Sequence, residues 1–332
     1  MRILILGGTL FLGRHLAEAA LARGHRLTVI NRGRTACDLP PGVMVLRGDR
    51  DRDMDALRDQ HFDVVIDTSA YHPTHIERVA ASLGGTGHYI LVSTASVYSH
   101  FPATEASPTH PSIRDEAVRP GPSTYAGLKR GCEESAEAAF GPRLTVIRPG
   151  LIVGPYDPTN RFEYWVRRSL HDGPMLAPGN PQRTIQVLDA RDLASWILEI
   201  SGATFGVFNA AGPRDHLTMD HLLSLCITVG KSSAQPIWVS DTFLLEHHVT
   251  PWSEFPLWIP DEAGPLLQVD SSRAVAAGLG MRPLTDTIRD VLQTPTRLKP
   301  LAGGLQAATP VDPTREGQLL TAWTATAPPN ER

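Results

Sequence analysis

The first half of the chain alternates short β-branched apolar runs with longer stretches whose apolar positions recur every three to four residues. That pattern belongs to a parallel sheet covered by helices on both faces. It predicts strands over 2–6, 26–30, 43–46, 64–66, 89–92 and 144–147, and helices over 11–22, 73–83 and 123–139. Gly24 stops the first helix, and Ser123 or Thr124 caps the last. After Pro149 the regularity breaks. Residues 154–160 and 172–183 are rich in Gly, Pro and Asn and read as loops, and 186–200 reads as a strand and helix that return to the main sheet. The expected class is α/β: a doubly wound parallel sheet over 1–155, rejoined by 183–204, with a smaller α/β substrate domain from 156–182 and 205–293. Residues 294–332 read as a Pro/Gly/Ala-rich linker, a short helix over 315–323 and a disordered tail.

Composition narrows the function classes. Hydrophobic residues make up 42% of the 332-residue chain and charged residues 20%, as in an ordinary globular protein, and the net charge is −4. This balance offers no footprint for nucleic acid or an anionic membrane, and no apolar run is long enough to span a bilayer. The expectation is a cytoplasmic protein acting on a small molecule, with a homodimer admissible. Cys37, Cys132 and Cys226 are odd in number and scattered, so they read as reduced thiols. The 13 histidines show no ligand spacing, and no metal site is expected. Only three of the 31 basic residues are lysine, Lys129, Lys231 and Lys299, so each lysine calls for a reason.

Directly after the first strand, Gly7-Gly8-Thr9-Leu10-Phe11-Leu12-Gly13 opens a helix. A dinucleotide pyrophosphate needs backbone N–H donors at a helix N-terminus and little side-chain bulk in the way. Gly7 would allow the tight turn and Gly13 close helix–strand packing, which points to a Rossmann domain. The middle glycine of the usual pattern is replaced by Leu10, for which Gly8 is expected to compensate. At the end of the second strand an NAD enzyme usually carries an acid. Here Asn31, Arg32, Gly33 and Arg34 stand instead, so no carboxylate repels a 2′-phosphate and guanidiniums can bind one. NADP is therefore preferred, with NAD the alternative. Asp49, ending the third strand, could accept from the adenine amino group.

Tyr125 and Lys129 lie four apart on a predicted helix and leave the same face. Hydride transfer to a carbonyl leaves an alkoxide that must be protonated as it forms. A phenol can give that proton if an ammonium lowers its pKa, and Lys129 can reach both phenol and ribose. Thr94, in the segment Ser93-Thr94-Ala95-Ser96-Val97-Tyr98 after a buried strand, can polarise the carbonyl.

With Tyr125-Ala126-Gly127-Leu128-Lys129 and Arg148-Pro149-Gly150, the chain resembles the extended short-chain dehydrogenase/reductase superfamily, and more narrowly the NAD-dependent epimerase/dehydratase family, over about residues 1–290. The resemblance implies Thr94, Tyr125 and Lys129 as the triad, and a cofactor lined by Gly7, Thr9 to Gly13, Asn31, Arg32, Arg34, Asp49, Ser69, Ala70, Lys129, Pro149 and Ile152. It places Ser96 and Tyr98 beside the substrate, with Asn160, Arg161 and Arg183 as further substrate contacts. Ala95-Ser96 after Thr94, where the 4,6-dehydratases carry Asp-Glu, argues against dehydration. Trp252, Phe255 and Trp258, in the proline-broken stretch 251–260, form either a lid over an apolar substrate or core packing. Three functions follow: an NADP-dependent reductase or dehydrogenase, a nucleotide-sugar epimerase with tightly bound NAD, and a non-enzymatic redox-sensing or RNA-binding relative like the chloroplast stem-loop-binding proteins, whose start the GGTxFxG segment resembles. Net negative charge and the intact Tyr–Lys pair weigh against the last.

Overall fold

The computed structural model describes residues 1–33, 39–52, 54–212, 216–265, 268–295 and 307–326. The first half runs β1 (Arg2–Leu6), α1 (Phe11–Ala22), β2 (Arg26–Asn31), β3 (Met44–Arg47), β4 (His61–Asp67), α2 (Pro73–Ser82), β5 (Gly85–Val92), α3 (Tyr125–Phe140) and β6 (Leu144–Pro149). It continues with β7 (Leu151–Val153), α4 (Arg161–Arg168), β8 (Gly173–Pro178), β9 (Thr184–Ile185), β10 (Val187–Asp189), α5 (Ala190–Ile200) and β11 (Gly206–Ala210). The last part holds β12 (Leu217–Thr218), α6 (Met219–Gly230), β13 (Ala234–Val239), α7 (Asp241–Glu246), α8 (Ser272–Ala276), α9 (Leu284–Gln293) and α10 (Pro313–Thr326).

Seven strands form one parallel sheet in the order β11-β6-β5-β4-β1-β2-β3. Alternation along β1 divides the core: Ile3 and Ile5 pack under α1 and α5, while Leu4 and Leu6 pack on the opposite face with residues of α2 and α3. The order reverses between β1 and β4. The crevice at the carboxyl ends of those two strands is where an open α/β sheet takes its ligand.

The second unit packs around Phe162, Trp165, Leu222, Leu223, Phe255 and Trp258. Its boundary differs from the expected one, because β11 pairs with β6 in the main sheet. The segment read as a loop at 172–183 contains β8, which pairs with β13. Pro174 and Pro178 disguised it, since a two-stranded edge tolerates residues that cannot donate to a ladder. The terminal helix is also longer than expected and is docked. Leu319 and Trp323 enter the core, and the Glu316 carboxylate accepts from Leu176 N at 2.8 Å and from Arg168 Nε and Nη2 at 2.8 and 2.9 Å. Residues 296–306 of the expected linker, and the tail from 327, lie outside the described residues. No helix among the described residues is long and apolar enough to cross a membrane, and no group of three His, Cys, Asp or Glu among them could hold a metal ion.

His88 ties the sheet together in its neutral form. Thr145 Oγ1 donates to Thr204 O at 2.7 Å, so His88 Nε2–H donates to Thr145 Oγ1 at 2.8 Å and Nδ1 accepts from Gly202 N at 2.8 Å. A second ring proton would face the Gly202 N–H. Burial accordingly lowers the His88 pKa to about 4. The folded value lies below the unfolded value of about 6.5, so the unfolded chain binds the extra proton first. Stability from this residue is complete above about pH 6.5 and is lost as pH falls toward 4. Thermal midpoints measured across that window should fall by several degrees, and His88→Gln should flatten the slope.

Candidate active site

The glycine loop is built for close approach. Gly7 has φ +88°, and a Cβ there would lie 2.7 Å from Ser69 Cβ and Oγ and from Thr68 Oγ1. A Cβ on Gly13 would lie 2.2 Å from Gly7 O. Gly8 does not compensate for Leu10 as expected: the space beside it faces Val29 of β2, inside the sheet packing. Leu10 is extended and precedes α1, and Phe11 takes a left-handed φ of 40°. Leu12 turns its side chain into the core, which leaves Thr9, Leu10 and Phe11 half-buried along the loop. The first turn of α1 contains no acid, so its N–H groups face an electropositive end suited to a pyrophosphate.

At the end of β2, Asn31 Oδ1 accepts from Gly33 N at 2.9 Å and from Arg47 Nη1. Arg47, which sequence reasoning missed, lies over Gly33. Arg34 lies outside the described residues. The expectation of a pocket without carboxylate is corrected by the fold: Asp51 brings Oδ2 to 3.6 Å from Arg32 Nη1. Asp49 holds the same turn, its Oδ1 accepting from Asp51 N at 3.2 Å.

Beside the crevice a buried ion pair fixes the turn after β4. Arg50 meets Asp67 through two contacts of 3.1 Å, Tyr89 OH donates to Asp67 Oδ2 at 2.7 Å, and Ser69 N donates to Asp67 Oδ1 at 3.0 Å. Neither Arg50 nor Asp67 was singled out, although an acid ending the buried run of β4 was a usable signal.

Thr94 precedes a short turn over 95–97. Its Oγ1 accepts from Ser96 N at 3.1 Å and donates to Ser96 Oγ at 3.2 Å, and it lies near enough to the Tyr125 phenol to lower its pKa. Tyr125 begins α3. Thr124 occupies the expected cap, but its hydroxyl donates to Arg119 O at 2.7 Å and caps nothing. One turn on, Lys129 is only 3% exposed, and Nζ donates to Ala70 O at 2.9 Å and Val92 O at 2.8 Å. Tyr71, also missed, lies with its ring 5.6 Å from that Nζ and 6.4 Å from the Tyr125 ring.

The electrostatics correct one expectation. Burial first, and then the neighbouring Tyr71 phenol, push Tyr125 well above the ordinary tyrosine value, with Thr94 and Arg161 pulling the other way. Lys129 directs two of its donors to carbonyls, and burial outweighs the favourable charges around the phenol. Burial lowers Lys129 itself. Tyr125 is thus a neutral acid at physiological pH, able to give a proton.

The remaining predicted residues divide. Ser96 shares the Thr94 hydroxyl, and Pro149 and the half-buried Ile152 flank the carboxyl end of β6. Arg161 is close enough to Tyr125 to act on it electrostatically. Its Nε donates to Thr159 Oγ1 at 3.0 Å, and its guanidinium lies 5.6 Å from the Trp252 ring. Asn160, at φ +57°, precedes α4 without a side-chain cap bond. Tyr98 is not at the site surface: it is 1% exposed, donating to Asn209 Oδ1 at 2.7 Å and accepting from Arg148 at 2.9 Å. Arg183 is committed to Gly264 O at 2.7 Å and to Ile259 O, so it holds a loop and offers little to a substrate. Phe255 and Trp258 are core residues, leaving Trp252 alone half-buried.

A parallel sheet with this glycine loop and this Tyr–Lys helix defines an extended short-chain dehydrogenase/reductase fold. The chain belongs to the NAD dependent epimerase/dehydratase family, whose profile matches residues 3–211. It is 29% identical over 250 residues to the chloroplast stem-loop binding protein of 41 kDa b of Arabidopsis thaliana, a match covering 69% of this chain and 63% of that one. The chain thus spans less than two thirds of that relative. In fold it resembles the UDP-glucose 4-epimerase of Thermus thermophilus, solved with NAD (18% identity, TM-score 0.60, 88% of this chain and 98% of that chain). It also resembles the UDP-glucuronic acid 4-epimerase of Bacillus cereus, solved with NAD (15% identity, TM-score 0.62, 87% and 94%).

Tyr125→Phe removes the proton donor while leaving the glycine loop intact. Turnover should fall by about a thousandfold or more, with dinucleotide affinity changed less than about threefold, measured by steady-state rates and fluorescence titration. Surviving turnover would assign the acid elsewhere.

Proposed function

We propose that the chain is an NAD(P)-dependent oxidoreductase that reduces a carbonyl or oxidises an alcohol of a small-molecule substrate in the cytoplasm. The observation that carries this reading is the buried Lys129, anchored to the carbonyls of Ala70 and Val92 at the sheet's carboxyl edge, one turn after the Tyr125 phenol that starts α3 and lies near Thr94. The crevice fits a dinucleotide: Gly7 and Gly13 let the loop close tightly against the turn after β4 and against the start of α1, and α1 presents its N-terminus. When bound, the dinucleotide would supply or accept the hydride. Thr94 polarises the carbonyl oxygen, and Tyr125 donates the proton as the oxygen becomes an alkoxide, or takes it in the reverse direction. Lys129 holds positive charge beneath both. Arg32, although paired with Asp51, and Arg47 are the guanidiniums that would meet the 2′-phosphate of NADP, with NAD the alternative.

Two other readings have specific support. An epimerase would use the same triad and keep its NAD through each turnover, as the family's description allows. An RNA-binding relative is favoured by the 29% identity to a stem-loop binding protein. Identifying any nucleotide released from purified protein, then titrating with NADPH and NADH, separates the three. The oxidoreductase reading expects exchangeable binding of added dinucleotide, whereas stoichiometric released NAD favours the epimerase. Binding of neither dinucleotide sinks both enzyme readings.

A further inference from the structure

We propose that Asp51, anchored by His75, sets the cofactor preference of the pocket at the end of β2 by competing with a ribose 2′-phosphate for Arg32. The assignment rests on the dinucleotide-enzyme reading above. Along the chain, the end of β2 offers Asn31, Arg32, Gly33 and Arg34, and a 2′-phosphate would meet guanidiniums unopposed. Folding changes this. The turn after β3 carries Asp51 back to Arg32, Oδ2 standing 3.6 Å from Nη1.

His75, in the first turn of α2, fixes the other carboxylate oxygen. Its Nδ1 accepts from Tyr71 N at 3.3 Å, so Nε2 carries the ring proton and donates it to Asp51 Oδ1 at 2.8 Å. Burial and the nearby Arg50 lower the His75 pKa to about 4, so the ring anchors Asp51 without neutralising it. The pocket therefore holds Arg32 and Arg47 opposed by one positioned carboxylate. NADP gains Arg32 only by displacing it from Asp51, and its phosphate then lies near that negative charge. NAD presents a neutral hydroxyl, for which Asp51 is an acceptor. The Arg32–Asp51 pair is exposed, 40% and 57%, and such pairs are weak, so Arg32 can be exchanged between the two partners. The consequence is a protein that accepts both dinucleotides.

Dissociation constants for NADPH and NADH, measured by fluorescence on the full-length protein and on Asp51→Asn, Arg32→Gln and His75→Gln, test the assignment. Asp51→Asn should raise the preference for NADPH over NADH about tenfold. Arg32→Gln should weaken NADPH about tenfold while leaving NADH within about threefold. His75→Gln should shift the preference in the same direction as Asp51→Asn, by less. Asp51 is exposed, and its substitution leaves the core untouched. If the Asp51→Asn protein binds both dinucleotides in the wild-type ratio, within about twofold, this assignment alone is overturned. If the wild type binds neither, the enzyme reading falls and this one with it.

Discussion

The site depends on one buried ammonium. Lys129 is almost fully buried, where an unpaired cation would be costly, and two carbonyls make that placement tolerable. One carbonyl, of Ala70, belongs to the turn after β4; the other, of Val92, ends β5. The side chain therefore fastens α3 to both neighbouring strand ends. Because α3 begins at Tyr125, the same tether sets where the phenol stands relative to Thr94. An ammonium has three donors, and the third has no hydrogen-bond acceptor among the described residues.

The surroundings keep that tether rigid. Asp67 fixes Ser69 N and is itself held by Arg50 and Tyr89, so the turn bearing Ala70 has little freedom. Arg50 sits between Asp49 and Asp51, so one buried ion pair links the turn after β3 to the turn after β4 that bears Ala70. Arg161 and Trp252 lie together, and Thr159, which bonds Arg161, also accepts at its carbonyl from Ala308 N at 2.8 Å. The chain leading into α10 is thus tied to the segment that bonds Arg161.

Much of this was legible along the chain, for physical reasons. The parallel sheet announced itself because its strands are buried on both faces and read as apolar runs. The Tyr125–Lys129 pair was legible because a four-residue spacing on a helix guarantees a common face, and because lysine is so rare here. What escaped was whatever depends on non-local approach. Arg47, Asp51 and His75 come from β3, its following turn and α2, and no local pattern shows that they meet at the end of β2. Tyr98 and Arg183 were misjudged because polar groups near an active site also serve as packing and loop ties. The Gly8 expectation failed because a missing Cβ can serve sheet packing as well as a ligand.

The scarcity of lysine provides the most direct test. With three lysines in the chain, selective carbon-13 labelling at Lys Cε gives three resonances to follow by NMR. One of them, absent in Lys129→Met, should titrate below the ordinary lysine range and shift when NADPH or NADH is added. If the Lys129 resonance titrates as an ordinary exposed lysine and ignores both dinucleotides, the buried ammonium is not the centre of the site.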